Sequence, residues 1–420
     1  MSNNATGHDF RYELRAVALL TFAFGLVGID RFAMNYMFPA MREDLGLSYQ
    51  DLGNASGMLS LALGISALIA GPLTDRFGAR AVVVPSVVVF SLSAGLSGLV
   101  DGMGQLLVLR FTMGLADGAF ATACITASLN AAAPSRKALV NGISNAGLSI
   151  LGLGLGPILI TWLLATTGSW RLCFFIITIP GLILAVVLWR TLRDKSSEPT
   201  SVSAEETGHA VKASNIMEVL RYRNVWICMG LQTTVVGALV TVVTMTPSYI
   251  VDTLKMPEQV MGTISSAIGF GTVTGALVIT AISDRVGRQP VILGCAIGAL
   301  LMVCALYVTG PNAVLLFIEL ALISALCFAS LYIVVGPAVT ECVPPSMGAS
   351  ATGFVIATSE ILGGAVAPTM GGYVAEHYGL AQTYLISIGA LCCAIVLALF
   401  LRTGRRPAPM HMPNAAPQVL

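Results

Sequence analysis

The chain has 420 residues, of which 56% are hydrophobic and only 10% charged, with a mean hydropathy of +0.84. An ordinary soluble domain carries about 25% charged residues, so this composition excludes a water-soluble globule of this size and points to an integral membrane protein. The net charge of +1 supplies no basic field for nucleic acid.

A helix that crosses a bilayer needs about 20 mostly apolar residues. Twelve segments meet that requirement: 15–41, 50–70, 81–100, 105–132, 138–165, 171–191, 224–251, 258–282, 290–309, 312–340, 349–376 and 380–401. The expected fold is therefore all-α, with twelve transmembrane helices in two pseudo-symmetric six-helix bundles. Residues 1–191 form the first bundle and 224–401 the second. Residues 192–223, with Asp194, Lys195, Glu198, Glu205 and Glu206, read as a linker, and 402–420 as a Pro- and Arg-rich tail. Residues 1–10 are polar and show no cleavable signal sequence.

Basic residues set the expected orientation. With the N-terminus in the cytoplasm, that side holds Arg11, Arg15, Arg76, Arg80, Arg136, Lys137, Arg285, Arg288 and the linker cations, whereas Arg42, Arg171 and Lys255 lie opposite. The positive-inside rule then puts both termini in the cytoplasm.

The halves repeat. Asp75-Arg76-Phe77-Gly78-Ala79-Arg80 returns as Asp284-Arg285-Val286-Gly287-Arg288, an offset of 209 residues from Asp75 to Asp284. Pro134-Ser135 and Gly142 return as Pro345-Ser346 and Gly353, an offset of 211 from Gly142 to Gly353. Duplicated helix bundles joined in this way are the architecture of carriers that rock one half against the other.

Six charged residues fall inside the apolar spans, away from their ends: Asp30, Arg31, Arg110, Asp117, Glu319 and Glu360. A charge at the bilayer centre costs about 3 kcal/mol or more, so such groups face a partner or a wet cavity. Asp30 and Arg31 sit mid-way along the first helix, as transport groups or as a stabilising ion pair. Arg110 and Asp117 are two turns apart on one face of the fourth helix. A carboxylate held near a guanidinium in a cavity of changing wetness meets the requirement for coupling a proton to a conformational change. Glu319 is close enough to a helix end to reach the interface. Glu360 has no basic partner by spacing; it fits a second proton site, a cavity wall or a group that recognises a cation. Asn35, Asn141, Asn145, Gln232, Tyr249 and Tyr332 are polar candidates for the cavity lining, or for bonds between helices. The fifth helix carries Gly147, Gly152, Gly154, Gly156 and Pro157, which suits a helix that packs closely and bends.

The nine cysteines form no C-x-x-C pair, and His8, His209, His377 and His411 lie outside the spans or at their ends. No metal site and no cofactor is expected. No nucleophile–base pair or phosphate loop argues for an enzyme, and the linker is too short for a signalling domain.

The segment Gly71-Pro-Leu-Thr-Asp75-Arg76-Phe77-Gly78-Ala79-Arg80 resembles the signature of the major facilitator superfamily between its second and third helices, with Ala79 at one departing position. The degenerate copy at Asp284, Arg285, Gly287 and Arg288 falls between the eighth and ninth helices, as that resemblance implies. Ser169-Trp170-Arg171 followed by Phe174-Phe175 resembles the same family's junction of helices five and six. By resemblance, Gly71, Asp75, Arg76, Gly78, Arg80 and their repeats act in gating, with Asp75 facing the start of the eleventh helix when the cytoplasmic side is shut. Ile29-Asp30-Arg31-Phe32-Ala33 and Arg110-x-x-x-Gly114-x-x-Asp117 are similar to segments of its anion:cation symporters, which carry sugar acids and other organic acids. That similarity implies that Arg31 holds a substrate carboxylate, that Asp30 and Asp117 carry protons, and that Arg110 modulates Asp117. The sequence departs at Leu61-Ala62-Leu63-Gly64, which lacks an aromatic residue, and at Ser359-Glu360, where a Gly-Asn pair is usual.

The expectation is a proton-coupled symporter of a small organic anion, monomeric, in a bacterial-type inner membrane. Arg31, Asn35, Asn145, Gln232, Tyr332, Ser359 and Glu360 are its candidate substrate contacts. The alternative is a proton-driven exporter, suggested by Gly152-x-x-x-Gly156-Pro157 and by Glu360 as a partner for a cation.

Overall fold

The computed structural model describes residues 9–193, 218–344 and 347–401. The linker around 194–217, the tail from 402 and the Pro345-Ser346 landmark lie outside them. Twelve helices are long and apolar enough to cross a membrane: α1 (Phe10–Leu45), α2 (Tyr49–Phe77), α3 (Ala79–Leu99), α4 (Met103–Ala131), α5 (Leu139–Thr167), α6 (Trp170–Thr191), α7 (Arg223–Thr253), α8 (Glu258–Val286), α9 (Arg288–Val308), α10 (Ala313–Ala338), α11 (Ser350–Tyr378) and α12 (Leu380–Phe400). They form two six-helix bundles. Along their most apolar windows, α1 is 67% and α7 is 78% buried against 39% for α9 and 33% for α12, which puts α1 and α7 at the centre and leaves α9 and α12 on the lipid-facing outside.

Several helices outrun their apolar stretches. The α2 helix continues past residue 70 to Phe77 and α8 past 282 to Val286, so both Asp-Arg motifs are helical rather than loops. Hydropathy falls where charges begin, but a helix ends where its backbone must turn. Here the turn comes at Gly78 (φ 86°) and Gly287 (φ 110°), each followed at once by the next helix. A residue with a Cβ is strained at such angles, so the glycine of each repeat sets the hairpin.

The bundles meet tightly at the end where α1 passes into α2. The Tyr49 hydroxyl donates to Asp252 at 2.9 Å, the Tyr49 amide to Glu376 at 2.8 Å, and the Gln50 amide to the Thr369 carbonyl at 3.1 Å. Small residues let α2 and α11 touch: a Cβ on Gly57 would stand 2.7 Å from the Ala365 carbonyl oxygen. On the same end the Trp170 indole donates to Asp44 at 3.1 Å and Arg171 pairs with Asp44, tying the start of α6 to α1. Toward the opposite end, where α1 begins and α12 finishes, the seams part. Gly142 of α5 has nothing near its Cβ position, and Leu139 and Val286 are exposed.

Two of the wide π-helical turns, Leu148–Leu155 in α5 and Glu360–Ala365 in α11, occupy equivalent places in the two bundles at the offset seen in the sequence. Such turns accompany functional sites more often than chance.

Candidate functional site

A cavity of about 180 Å³ lies between the bundles, lined by Arg31, Asn35, Ser56, Ser60, Arg110, Thr244 and Glu360 among mostly apolar walls. It is smaller than the roughly 300–1,000 Å³ of drug-sized pockets and suits a compact solute.

The Arg31 guanidinium is the centre of this site. Its Nη1 donates to Asp117 Oδ2 at 3.4 Å, and its Nη2 lies 3.8 Å from Glu360 Oε2. Asp117 belongs to α4 of the first bundle and Glu360 to α11 of the second, so one cation on α1 is held by carboxylates from both. The Arg31 and Glu360 side chains each keep 17% of their surface accessible, and Asp117 keeps 5%. Arg31 and Glu360 therefore face the open space while Asp117 stands behind.

Behind Arg31 lie two more buried charged groups. Arg110, only 1% exposed, donates from Nη1 to the Arg31 backbone carbonyl at 3.1 Å, and its charge acts on Asp30. Asp30 is also 1% exposed, and neither of its carboxylate oxygens has a hydrogen-bond partner. An unpartnered buried carboxylate is a group held ready for a proton or for another donor.

The pairing differs from the one suggested by sequence spacing. Arg110 and Asp117 share a face of α4, but seven residues of helix separate them by about 10 Å along its axis, too far for an ion pair. Asp117 instead meets Arg31, and Arg110 donates to the Arg31 carbonyl. The Arg31 partner of Glu360 comes from another helix in the other bundle, which no spacing along α11 could reveal.

Among the polar candidates, Asn35 is buried and lines the cavity. The others lie outside its lining. Asn145 donates to the Asn141 carbonyl at 2.9 Å within α5, and Ser359 donates to the Ile356 carbonyl at 2.8 Å within α11. Gln232 is buried with an unpartnered Oε1, and Tyr332 stands 41% exposed beside Phe328, whose ring does line the cavity. Glu319 is 7% exposed and accepts at 2.6 Å from the hydroxyl of Thr309, the residue that follows the end of α9.

Of the residues expected to act in gating, Gly71 is buried in α2 and Asp75 is exposed at its end, with the Arg76 guanidinium 5.2 Å from the centre of the Phe77 ring. In the second copy Arg288 pairs with Asp284 at 2.5 Å and with Glu341 at 3.5 Å. Both pairs lie within the second bundle, so this end of the molecule has an internal clasp on that side.

The apolar wall was not legible in advance. Val236, Leu239, Val240 and Val243 on α7, with Phe328 and Leu331 on α10, look like any lipid-facing run. Only their place on central helices makes them a lining. Among the described residues no group of three or more His, Cys, Asp or Glu could hold a metal ion.

Known proteins are similar to this chain in sequence and in fold. The cis,cis-muconate transport protein of Acinetobacter baylyi is 25% identical over 96% of this chain and 97% of its own length. The sialic acid transporter NanX of Escherichia coli is 25% identical over 88% and 89%. The hexuronate transporter of Bacillus subtilis is 30% identical, but the match spans 45% of this chain and 44% of that protein. Among solved structures, a bacterial homologue of the human lysosomal transporter Spinster superposes with a TM-score of 0.76 at 16% identity, covering 94% of this chain and 97% of that one. The family model described as Major Facilitator Superfamily matches residues 20–355 and 236–418; with its twelve helices in two bundles, this chain belongs to the major facilitator superfamily.

Proposed function

We propose that this protein is a proton-coupled carrier that brings a small organic anion into the cell by alternating access. The observation that carries the reading is the Arg31 guanidinium, turned into the cavity between the bundles and held by Asp117 and Glu360. An arginine in such a place offers a planar fork for a carboxylate. The names of the relatives, transporters of muconate, sialic acid and hexuronate, support an acid as cargo.

Proton coupling follows from the charge of the site. Asp30, Asp117 and Glu360 against Arg31 and Arg110 leave one net negative charge when all are ionised. A bound monoanion would add another within the membrane, which is costly. Binding is therefore accompanied by protonation of two of these three carboxylates. The loaded, neutral site then permits the bundles to rock, and release of the solute and protons on the far side resets the carrier.

The small volume and the aliphatic wall favour a compact acid with few hydroxyl groups. A polyhydroxylated acid would bury more hydroxyls against Val236, Leu239 and Val243 than Asn35, Ser56, Ser60 and Thr244 can bond. With the termini in the cytoplasm, the parted end is the cytoplasmic one and the structure is inward-facing. A single copy of the chain in the inner membrane, with bilayer and protons as its other partners, completes the site.

A thermal-shift screen of the purified protein tests the reading, because a bound ligand stabilises the folded state. At pH 6, 4-hydroxybenzoate and other compact acids should raise the melting temperature more than galacturonate, and organic cations should not raise it. Stabilisation by cations alone would favour the exporter reading instead.

A further inference from the structure

We propose that Glu360 is the carrier's own substitute for the substrate carboxylate: in the empty protein it occupies Arg31 from across the bundle interface, and the incoming anion takes its place. The proposal rests on the organic-anion reading and gives Glu360 a role opposite to that of a recognition group.

The geometry that points to it is local. Glu360 reaches from α11 to within 3.8 Å of Arg31 Nη2, while Asp117 takes Nη1 at 3.4 Å. Both outer nitrogens of the fork therefore already face carboxylates, and a planar guanidinium receives a third one well only if one of the two lets go. Asp117 is the better fixed of the two. It is the less exposed, it meets Arg31 at the shorter distance, and it lies in the same bundle as Arg31. Glu360 lines the open cavity, and its Oε2 makes no hydrogen bond. It is also the first residue of the π-helical turn Glu360–Ala365, a local departure from α-helix that re-aims the side chains it carries. Glu360 is thus the partner placed to leave.

The consequence is a coupling device. The groups that face Glu360 are Arg31 on α1, Asp117 on α4 and Ser60 on α2, with Asp30 and Arg110 behind Arg31. With Glu360 ionised, Arg31 is neutralised internally, and the empty carrier can rock without an exposed cation. With Glu360 protonated, its hold on Arg31 weakens, and the vacated side of the guanidinium accepts the substrate. The only covalent change is the O–H bond formed when a proton from the water on the open side moves onto Glu360, as the anion moves onto Arg31. The bridge also spans the interface, so its release loosens α1 from α11 at the moment the cargo is seated.

The test measures binding of 4-hydroxybenzoate to the purified full-length protein by titration calorimetry between pH 5.5 and 8.5, in wild type, Glu360→Gln and Glu360→Asp. In wild type, affinity falls as pH rises, because the competing carboxylate ionises. Glu360→Gln should bind the probe about tenfold more tightly than wild type at pH 8, and its slope of log Kd against pH should be smaller by about one. Glu360→Asp keeps the charge but withdraws it by one methylene, and it should fall between the two; it carries the test should the Gln variant fail to fold. Equal affinity and equal slope in all three would overturn the proposal while leaving the anion reading intact. Weaker binding in Glu360→Gln would also overturn it, because Glu360 would then be holding the ligand. If wild type binds none of 4-hydroxybenzoate, cis,cis-muconate and galacturonate at any pH, the anion reading fails first and the proposal with it.

Discussion

Arg31 and Arg110 do different work although both are arginines inside the membrane. Arg31 faces the cavity between carboxylates of both bundles; Arg110 is sealed at 1% exposure and supports the chain behind it through the Arg31 carbonyl. Replacing Arg110 with Leu removes its bond to the Arg31 carbonyl and the positive charge that acts on Asp30, and should destabilise the protein by about 1–3 kcal/mol. Thermal melting would measure this, and adding Asp30→Asn should recover part of the loss. Asp117→Asn removes the carboxylate next to Arg31, the proposed proton carrier, while preserving its shape. It should abolish accumulation of solute driven by a pH gradient and leave exchange of labelled for unlabelled solute measurable; unchanged uphill accumulation would rule out its coupling role. At this scale the sequence announced the participants, since six charges in 56% hydrophobic sequence are conspicuous. It did not announce the pairs. A one-dimensional spacing constrains only residues on one helix, and both contacts of Arg31 come from other helices.

The helices α2, α5, α8 and α11 form the seams between the bundles, and their small residues decide how closely the seams shut. At Gly57 of α2, a Cβ would stand 2.7 Å from the Ala365 carbonyl on α11, and backbone cannot step aside as a flexible side chain can. Gly57→Val should strain the closed seam by about 1–3 kcal/mol. Its expected effect is a loss of transport with a fully folded protein, read by uptake alongside the melting curve; normal uptake would mean that the seam has slack. The repeat of Asp-Arg-x-Gly was visible before the structure because turn glycines and flanking charges stand out in apolar sequence. The extension of α2 and α8 through these motifs was not, since hydropathy stops at the charges while helical hydrogen bonding continues to Gly78 and Gly287. Nor were the matched π-helical turns visible, because they depend on an inserted residue in the helical ladder rather than on any residue type.

Over the whole molecule, the two bundles touch at one end and part at the other, with Arg31 between them. The closed end is fastened by a few hydrogen bonds across the interface. Each contributes about 1 kcal/mol, the right magnitude for a latch that ligands must be able to open. Tyr49→Phe removes the bond to Asp252 and should shift the balance toward the state open at that end by about fivefold. The rate of labelling of a single cysteine introduced at that end would report it; an unchanged rate would show that the Tyr49 hydroxyl carries none of the closure. The duplicated architecture was legible from twelve apolar spans and two landmarks with offsets of 209 and 211 residues. Which end is closed was not, since both states use the same helices and differ only in contacts between bundles.

The central claim is that Arg31 receives the carboxylate of a solute whose entry is driven by protons. Uptake of labelled 4-hydroxybenzoate into proteoliposomes tests it most directly, with an acidic exterior imposed and the wild type compared with Arg31→Ala. The account predicts concentration of the acid inside wild-type vesicles, its collapse when a protonophore dissipates the gradient, and no uptake above empty vesicles for Arg31→Ala. Concentrative uptake that survives the loss of the Arg31 guanidinium, or that ignores the pH gradient, would contradict it.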